Sequence, residues 1–122
     1  MVPPDLFMIT TRTLGAITIL DLHGPLGAGQ DDAALRQAIR VAFEGDATTV
    51  ILNMQEVPSI DSSGVAALAS GHMTATNRGG RLKLCNLTQK LKDVFLIMRL
   101  HNIFESYATE ADAIASVDGP TS

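Results

Sequence analysis

The sequence predicts one α/β domain built on a mixed, mostly parallel sheet with covering helices, in the order ββαβαβαβα. Two runs rich in β-branched residues, "FMITTR" (7–12) and "AITILDL" (16–22), are separated only by "TLG", the pattern of two strands joined by a short turn. Beyond them, apolar runs alternate with segments of helical period. Strands that alternate with helices need crossover connections, which make neighbouring strands parallel. Size and composition suit a single core: 122 residues, 46% of them hydrophobic and 18% charged.

After the hairpin, "HGPLGAGQDD" breaks regular structure. From Asp31 the apolar positions Ala34, Leu35, Ala38, Ile39, Ala42 and Phe43 follow helical spacing, with Asp31 and Asp32 at the positive end of the helix and Gly45 and Asp46 as its stop. "TTVILNM" (48–54) is apolar without alternation until its Asn, as expected of a central strand covered on both faces. A helix from about Ser63 to Arg78 follows, closed by Gly79 and Gly80. "RLKLCN" (81–86) reads as a strand. "TQKLKDVFLIMRLHN" (88–102) reads as a helix with Leu91, Val94, Phe95, Met98 and Asn102 on one stripe. A short strand, "IFESYA", and a helix, "TEADAIASV", close the domain, with Thr109 and Asp112 placed as a capping-box variant. One domain therefore spans residues 6–117, with loose ends at 1–5 and 118–122.

Composition narrows the function. A net charge of −4, a pI near 5.1 and the scarcity of aromatics argue against nucleic-acid binding. The single Cys85 excludes an intramolecular disulfide and any cysteine-rich zinc site, and reads as a small apolar residue in a strand. Neither a signal peptide nor a run of about 18 apolar residues is present, so the expectation is a cytoplasmic protein with no direct membrane insertion. No Gly-rich phosphate loop occurs, and His23, His72 and His101 are scattered, so neither a cofactor nor a metal is expected. A Ser62–His72–Asp21 triad is geometrically poor, because His72 lies roughly 15 Å along the same helix at 1.5 Å per residue. The chain is thus expected not to be an enzyme. Arg78, Arg81, Lys83, Lys90, Lys92 and Arg99 read as solvated strand ends and helix faces.

The informative stretch is "VPSIDSSGVAALAS" (57–70), in which Asp61, Ser62 and Ser63 stand at a helix mouth. Any of the three can accept from the unpaired amides of the first turn. Three caps exceed what one helix needs, which leaves a hydroxyl to display. Gly64, having no side chain, lets another molecule approach the backbone. A hydroxyl at a helix N-terminus is well placed to hold a phosphate, or to be switched by one beside the charge of Asp61.

"IDSSG" after an apolar strand, followed in register by "GGRLKLCN", resembles the STAS domain of bacterial anti-sigma factor antagonists over about residues 8–117. The resemblance implies a STAS-like fold and partner switching. The unphosphorylated antagonist would bind an anti-sigma factor serine kinase, phosphorylation at Ser62 would release it, and a serine phosphatase would reset the switch. Asp61, Ser62, Ser63 and Gly64 would form the partner-binding surface. Two other roles fit such a domain: a cytoplasmic accessory subunit of a membrane lipid transporter, or a scaffold component of a stress-signalling assembly. In one respect the chain departs from the family. Where the family often reads Gly-x-Leu-Asp, this chain reads Gly24, Pro25, Leu26 and Gly27, so the usual acid is missing unless Asp31 or Asp32 supplies the charge.

Overall fold

The computed structural model describes residues 7–27 and 30–118. Strand β1 (Met8–Leu14) pairs antiparallel with β2 (Ile17–His23) across the two-residue turn Gly15–Ala16. Gly15 has φ +60 in that turn, a conformation that glycine adopts without steric cost. Helix α1 (Gln30–Glu44) then leads to β3 (Thr49–Glu56), α2 (Ser62–Asn77) to β4 (Arg81–Cys85), and α3 (Gln89–Ile97) to β5 (Glu105–Tyr107); α4 (Glu110–Asp118) comes last. The sheet order is β1-β2-β3-β4-β5, with every pair after the first parallel. The expected architecture is therefore the observed one. The loose ends expected at 1–5 and 118–122 lie outside the described residues, except that α4 reaches Asp118.

The period of two along each strand sorts side chains between two cores. Leu20, Leu22, Val50, Leu52, Met54, Leu82 and Leu84 face α1, α2 and α3 in the main core. Ile17, Ile19, Ile51 and Cys85 face the other way and meet Ala113 of α4. Burial of β3 on both faces explains its unbroken apolar run: Val50, Ile51 and Leu52 are each 0% exposed, and each such burial contributes about 1.5–3 kcal/mol. Helix α2 closes as expected, Gly79 N–H donating to Thr76 O and Gly80 N–H to Ala75 O. Thr109 Oγ1 accepts from Asp112 N–H at 3.0 Å, so the threonine half of the expected capping box is formed.

Three expectations need correction. The helix expected over 88–102 ends at Ile97. Arg99 takes φ 59, and a short 3-10 turn, Leu100–Asn102, follows. This break lets Leu100 and Phe104 continue the buried row of Leu91 and Phe95, while Met98 stays 47% exposed and Asn102 faces solvent. The strand that follows is only Glu105–Tyr107, shorter than "IFESYA". Lys83 is not a solvated strand residue. It is 5% exposed on the α4 side of the sheet, donating to Glu105 at 2.5 Å, with its ammonium 5.3 Å from the centre of the Tyr107 ring. Although partial burial opposes it, hydrogen bonding to Lys83 helps hold the Glu105 carboxyl below its ordinary value.

A polar ladder crosses the same face. Arg12 of β1 holds Asp21 of β2 with Nε and Nη2 at 2.7 and 2.9 Å and also reaches Glu110 of α4. Asn53 Nδ2 donates to Asp21 at 2.8 Å, and Asn86 Nδ2 donates to Asn53 Oδ1 at 3.0 Å. Arg12 holds the Asp21 carboxyl below the usual carboxylate range. The contribution of that carboxylate to stability is therefore complete above roughly pH 4 and is lost as pH falls through the lowered value. Replacing Arg12 with Ala should cost about 1 kcal/mol, the guanidinium being half exposed. Urea unfolding at about pH 7 and about pH 3 should also show a shallower acid loss in Arg12→Ala than in the parent.

Candidate functional site

The parallel strands point their carboxyl ends toward the loops at 24–27 and 57–61, and backbone hydrogen bonds sew these loops together. Gly24 N–H donates to Glu56 O at 2.9 Å, Leu26 N–H to Ser59 O at 3.0 Å, and Asp61 N–H to Leu26 O at 3.1 Å. Leu26 and Ile60 form an isolated parallel bridge, and the Leu26 side chain is 1% exposed. The serine loop is thus held on one face by an anchored neighbour, although neither loop belongs to a long strand.

Asp61 is the N-cap of α2. Its backbone is extended, with φ −110 and ψ −174, and its Oδ1 accepts from Gly64 N–H at 3.0 Å. That assigns the cap among the three candidates and places Ser62 at the first helical position. Ser62 is exposed, and its hydroxyl makes no hydrogen bond among the described residues. Ser63 is half-buried and Gly64 is buried. The reason for glycine at 64 differs from the one expected: a Cβ there would lie 2.5 Å from Leu26 O and 2.7 Å from Ile60 Cγ1. The space admits the chain's own loop, not an outside molecule. Of the four residues read as a partner surface, Ser62 and Asp61 face solvent, Ser63 does so in part, and Gly64 supports them from below.

Gly27 lies beside the same cap. A Cβ on Gly27 would come within 2.6 Å of Asp61 Oδ2. The acidic position of the family pattern thus adjoins the capping carboxylate, and here glycine leaves that carboxylate room. Of the two acids expected to supply charge there, Asp32 lies 3.9 Å from Arg36 of its own helix.

The hydrolase triad is not assembled. Asp21 gives its oxygens to Arg12 and Asn53, while the His72 ring packs edge-on to Phe104 at 5.8 Å with Nδ1 buried. Cys85 is buried, and burial pushes its thiol up to about 11, which makes it a poor nucleophile. No three His, Cys, Asp or Glu side chains among the described residues gather to hold a metal ion, and no described helix is long and apolar enough to cross a membrane. Sequence reasoning missed Leu26 as a structural partner of the serine loop. "GPLG" was its signal, an apolar residue kept between glycines in an otherwise polar turn.

Fold and site together define a three-layer α/β domain that presents the exposed Ser62 hydroxyl on a capped helix beyond the carboxyl end of its central strand. The chain belongs to the STAS domain family, whose model matches residues 8–113. It is similar to the anti-sigma factor antagonist SpoIIAA in its unphosphorylated form, with 26% identity over 96% of this chain and 100% of that one, at a TM-score of 0.76. The phosphorylated form of the Bacillus cell fate determinant SpoIIAA is likewise 26% identical, over 92% of this chain and 99% of that one, with a TM-score of 0.68. The fold also occurs in SLC26A9, where 86% of this chain matches 20% of that chain at 20% identity and a TM-score of 0.69.

The packing gives a direct stability test. Gly64→Ala should destabilise the domain by about 1–3 kcal/mol, because the atom it meets is backbone and must move. Asp61→Ala should cost about 1 kcal/mol through loss of the cap, and Ser63→Ala, which removes no cap, less than about 0.5 kcal/mol. Denaturant unfolding of the three variants should give this ranking.

Proposed function

We propose that this chain is an anti-sigma factor antagonist switched at Ser62. In the unphosphorylated state it binds an anti-sigma factor that is also a serine kinase. Transfer of a phosphoryl group from the kinase's ATP to Ser62 Oγ ends that complex, and a serine phosphatase restores it. The domain supplies no catalysis and needs no cofactor, and it acts in the cytoplasm. The observation that carries this reading is the Ser62 hydroxyl, exposed and without a hydrogen bond among the described residues at the first position of a helix already capped by Asp61. The similarity to SpoIIAA, known in both unphosphorylated and phosphorylated forms, supports it.

The physics of release is local. A phosphoserine adds about −1.5 to −2 charges next to the Asp61 carboxylate. A partner seated on α2 then meets both repulsion and the cost of desolvating the phosphate. A loss of only about 3 kcal/mol weakens binding more than a hundredfold.

Affinity capture from a lysate of the source cell, with wild type, Ser62→Ala and Ser62→Asp as baits, tests the proposal. An ATP-binding kinase should be retained by wild type and Ala and reduced on Asp, which carries less charge than a phosphoserine and so mimics it in part. Purified kinase with ATP should add one phosphate to wild type and none to Ser62→Ala. Retention of a transporter by all three baits, or phosphate on Ser63 instead of Ser62, would overturn the assignment.

A further inference from the structure

Strand β1 leaves the long edge of the sheet open. Among the described residues it pairs only with β2, and six of its seven residues are exposed, Met8 at 38% and Leu14 at 53% among them. The opposite edge, β5, has three residues. An open edge is a row of unpaired backbone donors and acceptors, a template on which a further strand can pair.

The hairpin register fixes which groups are free. Leu14 and Ile17 flank a two-residue turn and so exchange both backbone bonds; alternation then directs Met8, Thr10, Arg12 and Leu14 toward β2. Ile9, Thr11 and Thr13 direct their N–H and C=O groups outward. An antiparallel copy of the same strand, placed about a two-fold axis at Thr11, sets Thr11 against itself and Ile9 against Thr13. All three outward residues then meet outward residues. The same register sets the exposed Met8 against the exposed Leu14, and Thr10 against Arg12. Arg12 brings no unpaired charge, since its guanidinium lies on Asp21 and Glu110. An open groove of about 510 Å³, lined by Thr11, Thr13, Ala38, Val41 and Ala42, runs beside this edge, and Val41 there is 53% exposed.

From this self-complementarity we infer that β1 is a homodimer interface, two copies joining edge to edge into one ten-stranded sheet. The contact is isologous and closes on itself, so it makes a dimer and not a filament. It is independent of the kinase reading. Both Ser62 hydroxyls stay outside the contact, because they sit at the start of α2 and not on the β1 edge.

Light scattering on a sizing column, with the full chain, provides the test. The parent should show twice the 12.9 kDa chain mass, and Thr11→Pro, which removes an outward N–H while leaving the β2 ladder intact, should show half of that with an unchanged circular dichroism spectrum. A parent that stays at one chain mass, or a Thr11→Pro variant that stays folded and dimeric, would overturn the inference. Should Thr11→Pro fail to fold, Thr11→Cys decides. Directly opposed residues of this kind lie about 5.5 Å apart at Cα, within disulfide reach, and Cys85 is buried. Mild oxidation should link Thr11→Cys into a dimer and leave Thr10→Cys unlinked; equal or absent linkage in both would count against the interface.

Discussion

The peptide of Leu26 is the constraint on which the serine loop depends. Its N–H is taken by Ser59 O, its C=O accepts from Asp61 N–H, and its side chain is buried in the main core. The same carbonyl passes so close to Gly64 that no side chain fits there. One residue thereby sets where α2 begins, which residue caps it and which hydroxyl is left outside. The glycine at 64 and the acid at 61 are then consequences of packing. Any function of Ser62 rests on a scaffold whose own requirements already account for two of its neighbours.

The two faces of the sheet do different work. The side under α1, α2 and α3 is apolar and carries most of the burial. The side under α4 has a short helix over a small apolar cluster, so much of what fixes it is polar: Arg12, Asp21, Asn53, Asn86 and Glu110 in one chain, and Arg81, Lys83, Glu105 and Tyr107 in another. These groups tie the antiparallel edge strand and the last helix to the parallel centre. Single exposed ion pairs contribute little, but here bidentate geometry and partial burial act together.

Sequence pattern made most of this legible where burial alone decides. The hairpin, the doubly covered β3, the amphipathic α1 and the glycine-closed α2 follow from period and punctuation. The length of α3 did not, because residues 88–102 keep a helical stripe through the point at which the chain turns. What ends the helix is the demand of Leu100 and Phe104 for the core, a tertiary effect that no local window contains. Lys83 was misread for a similar reason. Its neighbours in sequence suggest a strand end, whereas its environment is made by Glu105 and Tyr107, more than twenty residues away. The polar ladder had a faint signal in Asn53, a lone amide inside an apolar strand, but its partners lie on three other elements. At the site, "DSSG" showed that hydroxyls were in surplus, and geometry alone assigned the cap to Asp61.

Assigning the cap also decides what a phosphate at Ser62 can and cannot do. It would stand in the first turn of α2, where the helix dipole favours negative charge by about 0.3–1 kcal/mol, and beside Asp61, which disfavours it. These effects oppose each other, so the folded domain gains or loses little. Asp61 is already engaged in its bond to Gly64, and the close approach of Leu26 to that glycine fixes the first turn from beneath. With Gly27 in place of an acid, that position adds no carboxylate beside the one at Asp61. A phosphate at this position would therefore change the surface more than the fold. Its free energy would fall on whatever packs on α2, so that the proposed displacement of a partner needs no prior rearrangement of the domain.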